Sequence, residues 1–228
     1  MPRGIVQYPP RQGRSRETLR RLLDAAEKVM AKHGLEGATL PRIARQARVS
    51  PATVYRRFRD KDALIAVVFS RFSDMQAEHG DQPIDTEPIR KMGLRAFVRQ
   101  WIGALIASYS AQPKLMRATI EYSRNNAERP FIKRQLELEG RSFDKMAETL
   151  LIFRNEIRHP EPELAVRWAM LMPGFALREL LLFDKAGLTG RLVPMDDAKL
   201  QEELVRGFLC YLGVDPNGAP LRGVGESS

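Results

Sequence analysis

The chain has 228 residues, 43% hydrophobic and 29% charged with a formal net charge of +9, which suits one small and one larger domain with real cores. Its single cysteine, Cys210, excludes an internal disulfide framework and suits a reducing compartment, and in the apolar run GFLCYL we expect its thiol to be buried. No apolar run approaches the ~20 residues of a membrane span and the N-terminus lacks a signal-peptide core, so we expect a soluble cytoplasmic protein.

The positive charge is concentrated at one end of the chain. Residues 1–61 hold 15 Lys or Arg against 5 Asp or Glu, a net +10, whereas residues 62–228 hold 22 against 23, a net −1. Such asymmetry is typical of a nucleic-acid-binding segment attached to a neutral body. A basic membrane-surface helix is the competing interpretation, and it fits less well because the charges are spread over several short helices with no large aromatic face.

The first predicted elements are an arm and a helix. Residues 1–15 are rich in Pro, Gly and Arg, and we expect a disordered basic arm that could enter a minor groove or remain a solvated tail. Residues 16–37 carry apolar residues at helical spacing, and Gly34 is expected to end that helix.

Two short helices separated by a turn are predicted within residues 39–61. Thr39 is expected to cap the first by accepting a hydrogen bond from a free amide through its hydroxyl. Ser50 and Pro51 form a strong start signal for the second, which is expected to cover 51–58.

The second of these helices has two unlike faces. Val54 and Phe58 are four residues apart on one apolar side, whereas Ala52 and Arg56 point the other way. A DNA-reading helix needs this arrangement, because it buries one face and brings small and basic residues to base edges in the major groove. Helix pairs that bind no DNA show a similar division, and on the pair alone that alternative stays open.

The side chains of this segment have distinct chemical roles in such an interface. Thr53 can contact a base edge or a thymine methyl group, and Arg56 can form a bidentate contact with guanine. Tyr55, Arg57 and Lys61 can hold phosphates. The predicted DNA-binding residues are Thr39, Arg48, Ser50, Pro51, Ala52, Thr53, Tyr55, Arg56, Arg57 and Lys61.

The run from about Arg16 to Phe72 also carries four linked motifs, within LLDAAEKVMAKHGLEGATLPRIARQARVSPATVYRRFRDKDALIAVV. They are A-x-x-x-x-x-x-x-G-L, T-x-x-x-I-A, V-S-x-x-T-V-Y-x-x-F and K-D-x-L. With these motifs the run resembles the N-terminal domain of the tetracycline-repressor (TetR) family of transcriptional regulators. The family usually has Lys or Arg where this chain has Pro51, and often His or Tyr at the positions of Arg56 and Arg57, so the operator sequence does not follow from the resemblance.

The rest of the chain shows only helix-like patterns, which predicts an all-α protein with an N-terminal helix-turn-helix DNA-binding domain and a larger helical ligand-binding and dimerisation domain. A break of Gly, Pro and acidic residues marks a boundary near residue 80. The predicted division is a basic arm at 1–15, a helix-turn-helix domain at 16–60, a connecting helix at 61–79, an effector-binding and dimerisation domain at 80–212 and a flexible tail at 213–228.

The resemblance implies a homodimer in which the last two long helices pair with those of a second subunit. Residues 161–185 and 196–212 suit this role because they are apolar over more of their circumference than one-sided packing needs. The run 180–183, Leu-Leu-Leu-Phe, is hard to bury within one subunit.

Large apolar side chains on converging helices predict a pocket for a small apolar or aromatic effector, although the same residue types also fill ordinary cores. The Pro173-Gly174 step is expected to interrupt its helix and open space there. The predicted ligand-binding residues are Phe97, Trp101, Met116, Ile120, Tyr122, Phe143, Met146, Trp168, Met172 and Phe175.

Enzyme functions are disfavoured, because the sequence has no glycine-rich phosphate loop, nucleophile elbow or Cys/His cluster, and we expect no cofactor and no metal. The resemblance implies a repressor that leaves a palindromic DNA operator when its effector binds. Two alternatives stay open: a DNA-binding protein without small-molecule control, regulated by a protein partner or architectural, and an activator.

Overall fold

The computed structural model describes residues 13–80, 84–183 and 187–215, which form eleven α-helices and no strand. The prediction of an all-α protein is therefore confirmed. Within these ranges, no helix is both long and apolar enough to cross a membrane. The helices are α1 (Gly13–Gly37), α2 (Leu40–Ala47), α3 (Pro51–Tyr55), α4 (Lys61–Gly80), α5 (Thr86–Met92), α6 (Leu94–Ala111), α7 (Pro113–Asn125), α8 (Pro130–Leu151), α9 (Pro162–Leu177), α10 (Leu188–Leu192) and α11 (Asp197–Tyr211).

The chain divides into two compact units. The first comprises Met1–Asp81 and Gln112–Gly140, and the second comprises Gln82–Ala111 and Arg141–Ser228. Helix α7 and the first part of α8 thus group with the N-terminal helices, whereas the sequence placed them in one body at 80–212. The predicted functional domains stay predictions. Most of the predicted arm and tail lies outside the described residues, although α1 already begins at Gly13.

The first unit is built around one hydrophobic core. Leu22, Ala26 and Met30 of α1 are fully or almost fully buried, and α1 packs against both α2 and α7. Gly34 has φ +67°, in the region that favours glycine, and it breaks the helical geometry of α1 as predicted. The chain can therefore turn from α1 into α2.

Helices α4, α7 and α8 meet in the first unit through an aromatic cluster, which we define as Phe69, Tyr122 and Phe131. The ring centroids of Phe69 lie 5.5 Å from Tyr122 and 5.9 Å from Phe131. Next to it, Arg129 Nη2 lies 2.9 Å from Asp62 Oδ2 at the start of α4. These contacts fix the beginning of α4 against the α7–α8 connection.

The second unit packs α6 against α9 and α11. Val98, Ile102 and Ile106 form the buried stripe of α6, and the ring of Trp101 meets Phe208 of α11 edge-on at 5.8 Å. Gln201 Nε2 donates a hydrogen bond to the Arg99 carbonyl at 2.8 Å.

Two local predictions were wrong in the second unit. Helix α9 continues through Pro173, which is buried, and it passes at Arg178 into a π-helical turn, Arg178–Phe183. The side chain of Cys210 is exposed, because α11 turns Phe208 and Leu209 inward instead. Helices α5 and α6 are separate, because Gly93 between them has φ +83°.

Candidate nucleic-acid interface

Helix α2 is held on its inner face and at its C-terminus. Its buried residues, Ile43, Ala44 and Ala47 among them, face the core of the first unit. Arg21 of α1 donates a hydrogen bond to the Ala47 carbonyl at 2.6 Å and so satisfies one of the free acceptors at the C-terminus of α2. The angle of α2 is therefore set by α1.

The turn between α2 and α3 depends on Arg48. Its backbone is left-handed, with φ 56° and ψ 47°, and the following amide of Val49 donates to the Ala44 carbonyl at 3.0 Å. This closes the C-terminus of α2 as a glycine usually would. The side chain of Arg48 is exposed on the outside of the turn.

Ser50 caps α3 as predicted, whereas Thr39 does not cap α2 through its side chain. Ser50 Oγ accepts a hydrogen bond from the Thr53 amide at 3.2 Å and lies 2.9 Å from Thr53 Oγ1. Thr39 has the extended backbone of a cap residue, but its hydroxyl makes no capping bond. The second helical position is Pro41, which has no N–H, so one of the two amides that a cap normally receives is missing.

Helix α3 is shorter than the predicted 51–58, because it ends at Tyr55 and the chain turns before Phe58. The amides of Arg57 and Phe58 both donate to the Val54 carbonyl at 2.9 Å. Val54 and Phe58 are both buried, as their spacing predicted. The opposite surface is open: Pro51, Ala52, Tyr55 and Arg56 are exposed, and Thr53 is half-buried.

Arg57 and Lys61, both predicted to hold phosphates, have partners inside the first unit. Arg57 Nη2 donates to the carbonyl of Ser15 at 3.0 Å and to its hydroxyl at 2.7 Å, while its buried Nε has no partner among the described residues. Lys61 Nζ lies 3.5 Å from the Glu36 carbonyl. Arg57 therefore ties α1 to the end of α3, and its role in DNA binding stays a prediction.

Sequence reasoning missed Asp60, which caps α4. Its Oδ1 accepts a hydrogen bond from the Ala63 amide at 2.8 Å, and Arg59 Nε lies 2.9 Å from Oδ2. The hydrogen bond from Ala63, and then the one from Arg59, hold the pKa of the Asp60 carboxyl below its ordinary value. The signal was present, since an aspartate immediately before a helical run is a common N-cap.

The sequence of this segment matches a known family of proteins. Residues 22–68 match the family model described as bacterial regulatory proteins, tetR family, and they include all of α2 and α3. Residues 22–68 therefore carry the N-terminal domain of the TetR family.

Three relatives illustrate the likeness. The chain is 40% identical over 58 residues to an uncharacterised HTH-type transcriptional regulator, YvkB, of Bacillus subtilis, a match covering 25% of this chain and 31% of the relative. It is 30% identical over 101 residues to the HTH-type transcriptional repressor SCO4008 of Streptomyces coelicolor, covering 44% and 46%. A solved TetR-family regulator from Streptomyces coelicolor shares the fold at a TM-score of 0.62 and 19% identity, covering 86% and 80%. The chain thus spans less than half the length of either curated relative.

Within this TetR-family fold, the predicted pocket residues do not lie in one unit. Met116, Ile120 and Tyr122 belong to the first unit, and the others belong to the second. In the second unit, Phe97, Trp101, Phe143, Met146 and Met172 are half-buried. Trp168 and Phe175 instead are 49% and 52% exposed on α9.

Proposed function

We propose that this TetR-family transcriptional regulator is a homodimeric repressor, which reads a palindromic operator with α3 and leaves it when a small apolar or aromatic effector binds. The observation that carries the proposal is the surface of α3. Pro51 and Ala52 are exposed and small, so the backbone can approach base edges, and Arg56 is exposed beside them. The buried side chains of Val54 and Phe58 hold this surface at a fixed angle.

The backbone of Arg48 adds support for a DNA-facing role. It is left-handed at a position where glycine fits without strain, and strain of this kind is concentrated at functional sites. Its side chain is exposed next to the Ser50 cap of α3. A guanidinium held there suits a backbone phosphate beside the major groove.

The exposed face of α9 supports the homodimer. Leu164, Trp168, Leu171 and Phe175 recur at helical spacing, and each is at least 38% exposed in the single chain. Contiguous exposed apolar residues that include aromatic side chains are typical of protein–protein interfaces. With α11 as its neighbour, this face is proposed to pair with its copy in a second subunit.

We propose that the half-buried apolar residues of the second unit bind the effector. Phe97, Met146 and Met172 are adaptable apolar groups of the kind that line pockets for hydrophobic ligands. The effector is proposed to favour a pose in which α4 shifts and the α3 spacing of the dimer departs from the ~34 Å between successive major grooves. Coupling of ~1–3 kcal/mol would weaken operator binding ~5–150-fold.

Binding of the purified protein to the DNA upstream of its own gene tests this proposal. We expect Arg56→Ala to cost ~1–3 kcal/mol and to relax discrimination at one base position, whereas Tyr55→Ala should weaken binding to all sequences alike. Arg124→Ala removes an exposed cation of α7 and serves as the control for net charge. Equal affinity of Tyr55→Ala, Arg56→Ala and Arg124→Ala would contradict the docking of α3.

The same assay separates the proposed repressor from the alternatives. Palindrome-dependent binding that one compound of an apolar panel relieves is the expected result. Binding that no compound affects would favour a DNA-binding protein without small-molecule control. Transcription assays on the bound promoter then distinguish a repressor from an activator, and the naming of SCO4008 as a repressor supports the former for this chain.

A further inference from the structure

A basic groove lies between α1 and α2 in the first unit, and none of the residues that line it is among those predicted to contact DNA. Its volume is about 530 Å³. Lys28, Lys32 and His33 of α1 line one side, and Arg42 and Arg45 of α2 line the other. Lys28 and Lys32 are four residues apart and Arg42 and Arg45 three apart, so each pair shares one helix face.

The positive charge of this groove has no carboxylate to offset it. No Asp or Glu is among the residues that line it. The nearby acids of α1 are used elsewhere, because Asp24 lies 2.7 Å and Glu27 3.6 Å from Arg71 of α4. In the described part of the chain, no ion pair links Lys28, Lys32 or Arg45 to an acidic side chain.

The groove is also held in shape. Arg42 Nη1 donates a hydrogen bond to the Gly37 carbonyl at 2.6 Å. A Cβ at Gly37 would lie 2.8 Å from His33 Cβ and 3.2 Å from Arg42 Nη1, so glycine permits this close packing. The guanidinium of Arg42 is therefore positioned before any ligand arrives, which reduces the conformational entropy lost on binding.

We propose that this α1–α2 groove binds a phosphate-bearing ligand through Lys28, Lys32, Arg42 and Arg45. Two or more phosphate charges match four formal positive charges better than a single carboxylate does, and an arginine fork beside lysines is a common phosphate-binding arrangement. The phosphate has two sources: the DNA backbone flanking the segment that α3 contacts, and a free phosphorylated small molecule. The first source rests on the proposed DNA-binding function, whereas the second does not.

His33 supplies a local reporter of the bound anion. The side chain of His33 is exposed, but desolvation by the atoms around it, and then the charges of Arg42 and Lys32, lower its pKa from the ordinary value. An anion in the groove opposes both cations, so the imidazole should become easier to protonate and its pKa should rise. NMR titration of the ring protons with and without tripolyphosphate measures this change at the groove itself.

The first arm of the test uses tripolyphosphate and the full chain without DNA. Titration calorimetry measures the dissociation constant for tripolyphosphate. The double variant Lys32→Ala, Arg45→Ala, which we call the groove variant, should raise this constant at least tenfold. The double variant Lys91→Ala, Lys114→Ala removes two exposed cations from α5 and α7 and should leave it nearly unchanged. An equal loss in both double variants, or no loss in the groove variant, would overturn the proposal, because binding would then depend only on net charge.

The second arm compares an operator duplex with and without flanking base pairs. If DNA is the source, the groove variant should bind the short duplex like the wild type and lose the extra affinity that the flanking base pairs provide. Its binding to the longer duplex should also depend less steeply on salt concentration. If a free phosphorylated small molecule is the source, the groove variant should bind both duplexes as tightly as the wild type, although it no longer binds tripolyphosphate. If the wild type binds tripolyphosphate but no operator, the proposed function is refuted, whereas the proposal of a phosphate-binding groove is still supported.

Discussion

At the N-terminus of α4, the carboxylate of Asp60 accepts a hydrogen bond from the Ala63 amide, one of the first-turn amides that have no acceptor within the helix. Asp60→Ala should therefore lower the free energy of unfolding by about 1 kcal/mol. Asp60→Asn keeps the acceptor and should recover much of that loss. Urea unfolding of the three proteins at neutral pH measures both differences.

The pH dependence of this cap follows from the lowered pKa of Asp60. Because the carboxyl ionises more readily in the folded state, its ionic contribution is present above its unfolded pKa of about 4 and is lost as the pH falls through the lower folded value. The stability difference between the wild type and Asp60→Asn should shrink over that range. The carboxylate is partly exposed, so the effect should be small and reduced by salt. A difference that does not change between pH 6 and pH 3 would contradict this assignment.

Single residues also show which contacts a sequence can reveal. Ser50 was predicted correctly because a cap and its amide are neighbours in the chain. The Thr39 cap failed for a reason that was equally local, the missing N–H of Pro41. By contrast, Arg57 binds Ser15 across 42 residues and Arg21 binds Ala47 across 26, and no local pattern specifies such partners.

At the scale of the helix, the aromatic cluster gives a second prediction. Phe69 is buried between Tyr122 and Phe131, so Phe69→Ala should cost about 3–5 kcal/mol through lost burial and a cavity. Tyr122 carries a buried hydroxyl near Asp62 without a hydrogen bond of good geometry, and burial, then the Asp62 charge, raises its pKa. Tyr122→Phe removes only this hydroxyl and should change stability by less than about 1 kcal/mol.

Denaturant unfolding of the two variants tests this assignment of the cluster. A Tyr122→Phe variant as unstable as Phe69→Ala would contradict this assignment, because the hydroxyl would then contribute as much to stability as the packing of the Phe69 ring. The predicted role of Tyr122 as a ligand-binding residue adds a further readout. If the hydroxyl orients an effector, Tyr122→Phe should weaken effector binding while leaving the unfolding free energy near that of the wild type.

A helix boundary could be predicted from sequence where a local residue determines it. The prediction failed where tertiary packing determines whether the helix continues. Gly34 ended regular helix in α1 as expected. Pro173 did not end α9, because the helix is held by the packing of Ala165, Ala169 and Leu177 in the second unit. The grouping of α7 with α1 was not visible either, since these helices are at least 76 positions apart in the chain, from Gly37 to Pro113.

For the whole molecule, the sequence was most informative where charge and motif agreed. The excess positive charge lies in residues 1–61, and the family match lies at residues 22–68. The all-α fold and the pair of short helices α2 and α3 were predictable because both follow from local periodicity and caps. The pocket was not predictable in the same way, because core and ligand-lining side chains are the same residue types and differ only in what surrounds them.

The exposed apolar face of α9 gives the last prediction. Leu164 and Trp168 are 56% and 49% exposed in the single chain, so Leu164→Glu with Trp168→Glu should leave each subunit folded. If this face pairs with its copy, two buried carboxylates per subunit would meet across the symmetry axis without partners, and the dimer should dissociate. Sedimentation equilibrium should show a dimer for the wild type and a monomer for the variant, with unchanged helical circular dichroism. Leu136→Glu, at a 48% exposed position of α8, is the matched control and should stay dimeric. If the variant with both α9 substitutions is still a dimer, the interface does not lie on this face. If the variant dissociates, palindrome-dependent binding should also be lost, because only a dimer can present two α3 helices to successive major grooves.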